Sequence, residues 1–133
     1  MKRSIVCNVF FAMFVMVYLV GCSNQVGLTG KVTYTDGSPV QVGQVVFDDE
    51  RYAFRGRINK DGSYKLGGTY DGDGIIPGTY KVYLIDTDVT ETDENGTVKH
   101  VSHVANKYTN PDTSGLTCEV KGKMTFDFKV ERP

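Results

Sequence analysis

Beyond residue 27, apolar and polar residues alternate one by one along most of the chain. Leu28, Gly30, Val32 and Tyr34 fall on one side, and Thr29, Lys31, Thr33 and Thr35 on the other. A period of two is the mark of a half-buried strand. Asp36-Gly37-Ser38-Pro39 reads as a turn. Val45 and Phe47 continue on the core side of a second strand. Tyr52, Phe54, Gly56 and Ile58 alternate with Ala53, Arg55, Arg57 and Asn59 in a third. Lys60-Asp61-Gly62 is a tight connection to a fourth strand marked by Tyr64 and Leu66. A glycine-rich stretch over 67–74 ends in Pro77-Gly78. A fifth strand then spans Thr79 to Thr87, with Tyr80, Val82 and Leu84 on one face.

Near the end, Leu116, Cys118 and Val120 alternate with polar residues. After Gly122-Lys123, so do Met124, Phe126, Phe128 and Val130. These two segments are expected to pair as a hairpin. The pattern predicts about seven strands and no helix. Short strands with frequent turns point to an all-β sandwich of two packed sheets. Asp88 to His103 departs from this pattern. It is polar, acidic at first and longer than most loops. Asn95-Gly96 suits the turn of a small hairpin pairing Thr90–Glu94 with Thr97–Val101. A long exposed insertion is where binding function tends to sit.

The first residues follow a different rule. Lys2 and Arg3 precede an apolar run from Ile5 to Val20, interrupted only by Asn8. The run is short of the ~20 residues that span a bilayer, and no Lys/Arg cluster follows it. Leu19-Val20-Gly21-Cys22 resembles the lipobox of bacterial lipoproteins. That resemblance implies a signal peptide over 1–21 and a lipid on Cys22. The lipidated tether would be 22–27 and the folded domain 28–133. It also implies a place on a bacterial cell membrane, facing the periplasm or the exterior.

Composition narrows the rest. The chain is near neutral at −1, and losing Lys2 and Arg3 makes it more acidic. No basic patch stands out in the sequence, so nucleic acid is not an expected partner. Of three cysteines, Cys7 leaves with the signal and Cys22 carries lipid. Only Cys118 remains, so the apolar core must stabilise the domain without an internal disulfide.

Three sets of residues carry a further resemblance. They are Gly30-Lys31-Val32-Thr33-Tyr34, then Asp36-Gly37-Ser38-Pro39-Val40, then Gly43-Gln44-Val45-Val46-Phe47. Their order and spacing resemble the start of carboxypeptidase-regulatory-like domains. Asp61-Gly62-Ser63-Tyr64 and Pro77-Gly78-Thr79-Tyr80-Lys81-Val82 are similar to two later motifs of that family. The resemblance implies a transthyretin-like (prealbumin-like), seven-stranded Greek-key β-sandwich. Lys107-Tyr108, Thr113-Ser114-Gly115-Leu116-Thr117 and Phe126-Asp127-Phe128 resemble small lipoproteins of planctomycete-type bacteria. Transthyretin-like hydrolases end in a Tyr-Arg-Gly-Ser tail. This chain ends Val130-Glu131-Arg132-Pro133, so that activity is not carried over.

Candidate chemistry is sparse. His100 and His103 are the two histidines. Three apart, they would face opposite ways on a strand, and zinc needs three or four ligands. Asp71 and Asp73 could begin a calcium loop, but the late acidic ligand is absent and Ile75-Ile76-Pro77 stands there. Otherwise they cap a turn. Tyr52, Tyr70, Tyr83 and Tyr108 could stack on sugar rings or simply pack. Cys118 falls on an apolar face, as inert thiols do. No Gly-x-Ser-x-Gly elbow exists. The expected function is therefore a membrane-anchored, non-catalytic accessory or protein-interaction module with an envelope protein as partner. It needs no cofactor. The alternative is a carbohydrate- or calcium-dependent binding protein.

Overall fold

The structure is a computed structural model that describes residues 24–68 and 73–133. It is all-β, with ten strands and one short 3-10 helix at Asn106–Thr109 among the described residues. The strands are β1 (Leu28–Tyr34), β2 (Gln44–Asp48), β3 (Ala53–Arg57), β4 (Ser63–Lys65), β5 (Gly78–Ile85), β6 (Asp88–Thr92), β7 (Val98–Ser102), β8 (Leu116–Val120), β9 (Met124–Thr125) and β10 (Phe128–Val130). One sheet has β1 at its centre, with β4 antiparallel on one side and β9 and β10 parallel on the other. The second sheet runs β3-β2-β5-β8, antiparallel throughout.

The alternation decides which faces meet. Leu28, Val32, Tyr34, Val45, Phe47, Tyr64, Tyr80, Val82, Leu84, Cys118, Phe128 and Val130 form one buried cluster between the sheets. Phe47 is fully buried at its middle, with ring centroids 6.2 Å from Tyr80 and 5.8 Å from Phe126. Val46 is also fully buried, although it faces outward. Its cross-strand neighbours Arg55 and Tyr83 flank it there.

The terminal hairpin expected from the sequence does not form. β8 pairs with β5, and β9 and β10 cross to the other sheet and run parallel to β1. The apolar faces of both segments were legible. Their neighbours were not, because any apolar strand face satisfies the same alternation. The third strand is also shorter than expected. Tyr52 lies outside it and is 48% exposed, because the Asp49 carboxylate accepts the Arg51 and Tyr52 amides and turns the chain there.

The sheets touch along the β3–β4 side. Arg55 and Gly67 exchange backbone hydrogen bonds of 2.9 and 3.0 Å. Gly56 permits this approach, since a Cβ there would sit 2.3 Å from the Lys65 carbonyl oxygen. The barrel-like outer surface is therefore continuous from β3 across β4 to β1.

Burial has a pH consequence at Tyr64. Its hydroxyl donates to the Phe126 carbonyl at 2.5 Å. Desolvation first, then Cys118 and Asp127, push this phenol well above its ordinary range. Tyr80 and Tyr83 shift the same way, chiefly through burial. The folded values lie above the unfolded value of about 10, so the unfolded chain loses these protons first. Stability is expected to hold up to about pH 9 and to fall as pH rises past about 10. Urea melts at neutral and alkaline pH check this. Tyr64→Phe should be about 1–3 kcal/mol less stable at neutral pH, since Phe126 loses its donor. It should also show a shallower alkaline decline, and an unchanged decline would rule Tyr64 out as its main source.

Candidate functional site

The domain has two poles. At one, Val26 bridges to Ile75, and the Met124 amide donates to the Gly27 carbonyl. The chain enters β1 here. β1 then runs seven residues, about 20 Å at the usual strand rise, to Tyr34 at the other pole. There the Tyr34 hydroxyl donates to the His103 carbonyl at 2.8 Å.

From this second pole a ribbon emerges. β6 and β7 form a separate two-stranded antiparallel sheet and pair with no other described strand. The loop Asp93–Thr97 closes it, with the Asp93 carboxylate accepting the Asn95 and Thr97 amides at 2.9 Å each. A hairpin is present where the sequence suggested one, but one residue out of the expected register: Thr90 pairs with His100 rather than Val101, because the Asp93 carboxylate closes a longer loop than Asn95-Gly96 alone. One face carries Val89, Glu91, Lys99 and Val101, and the other Thr90, Thr92, Val98 and His100. Residues 90–100 are exposed throughout, Val98 at 60%. An isolated two-stranded ribbon is marginal in water, so its base needs support. The His103 amide donates to Thr87 at 3.0 Å, Ser102 Oγ donates to the Val104 carbonyl at 3.0 Å, and Ala105 N donates to Glu131 at 2.9 Å.

A cleft of about 280 Å³ lies at this base, lined by Tyr34, Ser38, Gln41, Val42, His103 and Arg132. Arg132 sits with its Cζ 3.8 Å above the Tyr34 ring. Its Nη2 is 3.0 Å from Ser38 Oγ and 3.4 Å from the Asp36 carboxylate. Asp36 is held below the usual carboxylate range, first by the Ser38 hydroxyl and amide, then by Arg132. His103 Nε2 is buried without a hydrogen-bond partner among the described residues. This cluster was not legible in the sequence, because Asp36 and Arg132 are 96 positions apart.

A larger groove, about 520 Å³, lies on the outer face of the second sheet. Asp48, Asp49, Glu50 and Asp112 line it with Lys81. Lys81 Nζ is 3.0 Å from Asp112, which raises the lysine above its ordinary value. Asp49 is lowered by the hydrogen bond from the Tyr52 amide.

The residues singled out from the sequence do not converge. His100 is out on the ribbon and His103 at its base. Among the described residues, no group of three or more His, Cys, Asp or Glu is placed to hold a metal. Asp73 accepts the Gly68 amide at 2.7 Å, as the turn-capping alternative requires. Cys22, Tyr70 and Asp71 lie outside the described residues. Tyr83 is half-buried against β2. Tyr52 is at the β2–β3 turn, 6.2 Å from Phe54. Tyr108 is in the core at 7% exposure, which takes it out of any exposed aromatic surface. Its segment closes the ribbon pole structurally: Lys107 pairs with Glu131 at 2.9 Å, and the buried Ser114 hydroxyl donates to Val82 at 2.6 Å. Burial raises the Cys118 thiol, and no base activates it among the described residues.

No family model matches the chain. No curated protein matches it either. Among solved structures, it is similar to a DUF3823 family protein from Bacteroides ovatus, with 20% identity and a TM-score of 0.47 over 81% of this chain and 45% of that one. It is also similar to BcpA, the major pilin subunit of Bacillus cereus, with 11% identity and a TM-score of 0.49 over 83% of this chain and 31% of that one. The chain thus spans less than half the length of either structure.

Proposed function

We propose that this chain is a membrane-anchored, non-catalytic envelope lipoprotein acting as a protein-interaction module, with Cys22 as its lipid site. The observation that carries the reading is the Asp88–Ser102 ribbon, which stands free of both sheets at the pole opposite the tether. A rigid sandwich with one end tied and a two-edged ribbon at the other is built for display. Each ribbon edge offers unpaired backbone groups to an extended partner segment. We read the sandwich as transthyretin-like, with β9 and β10 as one interrupted strand that brings the two main sheets to seven. The planctomycete-type lipoprotein resemblance supports the same location.

Excising the ribbon tests this. Val89–Val101 is replaced by Asn-Gly, which leaves Asp88 and Ser102 to close the base. The shortened protein is expected to keep its melting temperature within a few degrees, since the ribbon lends nothing to the core. A photoreactive residue at Val98 should crosslink one envelope protein in the full-length chain. The same partner should fail to co-purify with the excised form. Retained co-purification would place the interaction elsewhere.

A further inference from the structure

We infer that the outer surface running from β3 across β4 to β1 and β10 is a seat for an anionic bilayer, on which the tethered domain reclines. Lys31, Arg55, Arg57, Lys65 and Lys129 are all exposed on it. Register places them. Lys65 is opposite Thr29, Lys31 opposite Ser63, and Lys129 opposite Thr33. Lys65, Lys31 and Lys129 therefore lie on a diagonal across three strands, with neighbours about 7–8 Å apart by strand geometry. The Arg55↔Gly67 bridge carries the register on to β3, so Arg57 falls opposite Lys65.

Among the described residues, none of these five cations makes an ion pair. The salt bridges of the described residues use Arg51, Lys81, Lys107, Lys121 and Arg132 instead. The acids on this surface are Asp61, which accepts from the Ser63 amide and hydroxyl and also feels Lys31, and Asp127, which the β1 register sets opposite Lys31. At its rim, Asp48 is diagonal to Arg55 and Asp86 shares a cleft with Arg57. Thr29, Thr33 and Thr125 put hydroxyls between the ammonium groups, and no large apolar side chain is exposed there. The recognition is therefore electrostatic. Five of the eight described Lys and Arg residues outside those ion pairs lie on this surface; the other three are Lys60, Lys99 and Lys123.

The tether selects the occupant. Val26 is already bridged to Ile75, so Cys22 is separated from the fold by a span of at most about 14 Å. A lipid there holds the face within reach of headgroups at high effective concentration, and weak attraction per charge suffices. The inference rests on the anchored reading above. It adds an orientation: the ribbon then projects along the membrane plane, toward neighbours in the same membrane.

Amine footprinting of the full chain tests it. The protein is reconstituted into vesicles of phosphatidylcholine alone, or with about one-third phosphatidylglycerol, and labelled with a membrane-impermeant reagent. On the anionic vesicles at low salt, Lys31, Lys65 and Lys129 should label about fivefold more slowly. Lys99 and Lys121 should be unchanged. The protection should disappear near 0.5 M salt, where screening is within a few ångströms. Equal rates on both vesicles would overturn the proposal. So would protection of Lys99 or Lys121 instead, or equally strong protection on phosphatidylcholine by soluble polyglutamate, which would make the face a receptor for free polyanions. The mass of the Cys22 peptide in the same digest reports acylation separately, so failure of the anchor and failure of the seat are distinguishable.

Discussion

Cys22→Ser is expected to abolish incorporation of labelled fatty acid and to leave the N-terminal peptide without its lipid mass. Serine lacks the thiol on which a lipobox anchor is built. The effect is large because each acyl chain contributes ~0.8 kcal/mol per buried methylene, on the order of 10 kcal/mol for a chain of ordinary length. Metabolic labelling followed by mass spectrometry of the N-terminal peptide checks it. Incorporation that persists in the serine variant would sink the assignment of Cys22. An intact chain beginning at Met1 in the unmutated protein would point to an uncleaved apolar anchor. The fold itself should not change, since the domain's core begins at Leu28.

Gly30→Ala is expected to be the most damaging single-methyl change in the sandwich. Gly30 sits mid-strand in β1, opposite Tyr64. A Cβ built there would lie 1.9 Å from the Phe126 carbonyl oxygen and 2.5 Å from the Tyr64 hydroxyl oxygen. The first obstacle is backbone, so rotating a side chain cannot relieve it. The Tyr64–Phe126 hydrogen bond occupies the same space. Accommodation requires β1 to part from the β9–β10 segment or Tyr64 to leave the core. Overpacking costs typically 1–3 kcal/mol, and the loss of a buried hydrogen bond adds about 1–3 more. At about 4–8 °C per kcal/mol for a domain of this size, the melting temperature should fall by 10 °C or more. A thermal melt of the variant decides it, and a fall of only a few degrees would mean the strands part more easily than their packing indicates. The control is Gly37→Ala, where a Cβ meets nothing within 4 Å but the backbone φ is +88°. Its cost should come from backbone strain alone and be smaller.

Gly30 also shows how far the sequence could be read. It falls on the apolar side of an alternating strand, so its burial was legible from period two. The reason it must be glycine was not. That depends on Phe126, a distant residue delivered by a strand whose partner the pattern did not reveal. The same holds for Tyr52 and Tyr108. Both are aromatic residues at plausible surface positions, and the local chain says nothing of what covers them. The Asp49–Tyr52 turn exposes one, and the 3-10 segment buries the other. The His103–Arg132 cleft is a harder case, since its members come from the end of β1, the base of the ribbon and the last residues. Each is unremarkable in its own neighbourhood.

Local physics was enough for several features of this protein. Alternation dictated strands and their buried faces. Asp, Asn and Gly dictated turns, including the ribbon's tip, because their side chains or freedom of φ satisfy the backbone within a few residues. The reading of the apolar run before Cys22 rests on the sequence alone, since residues 1–23 lie outside the described ones. Strand partnership was decided by tertiary structure alone. β8 and the β9–β10 segment carry the same pattern, yet they join different sheets, one antiparallel and one parallel. A buried face specifies only that something apolar lies opposite. Which strand that is follows from how the whole core closes, and so does the placing of five exposed cations on one outer surface.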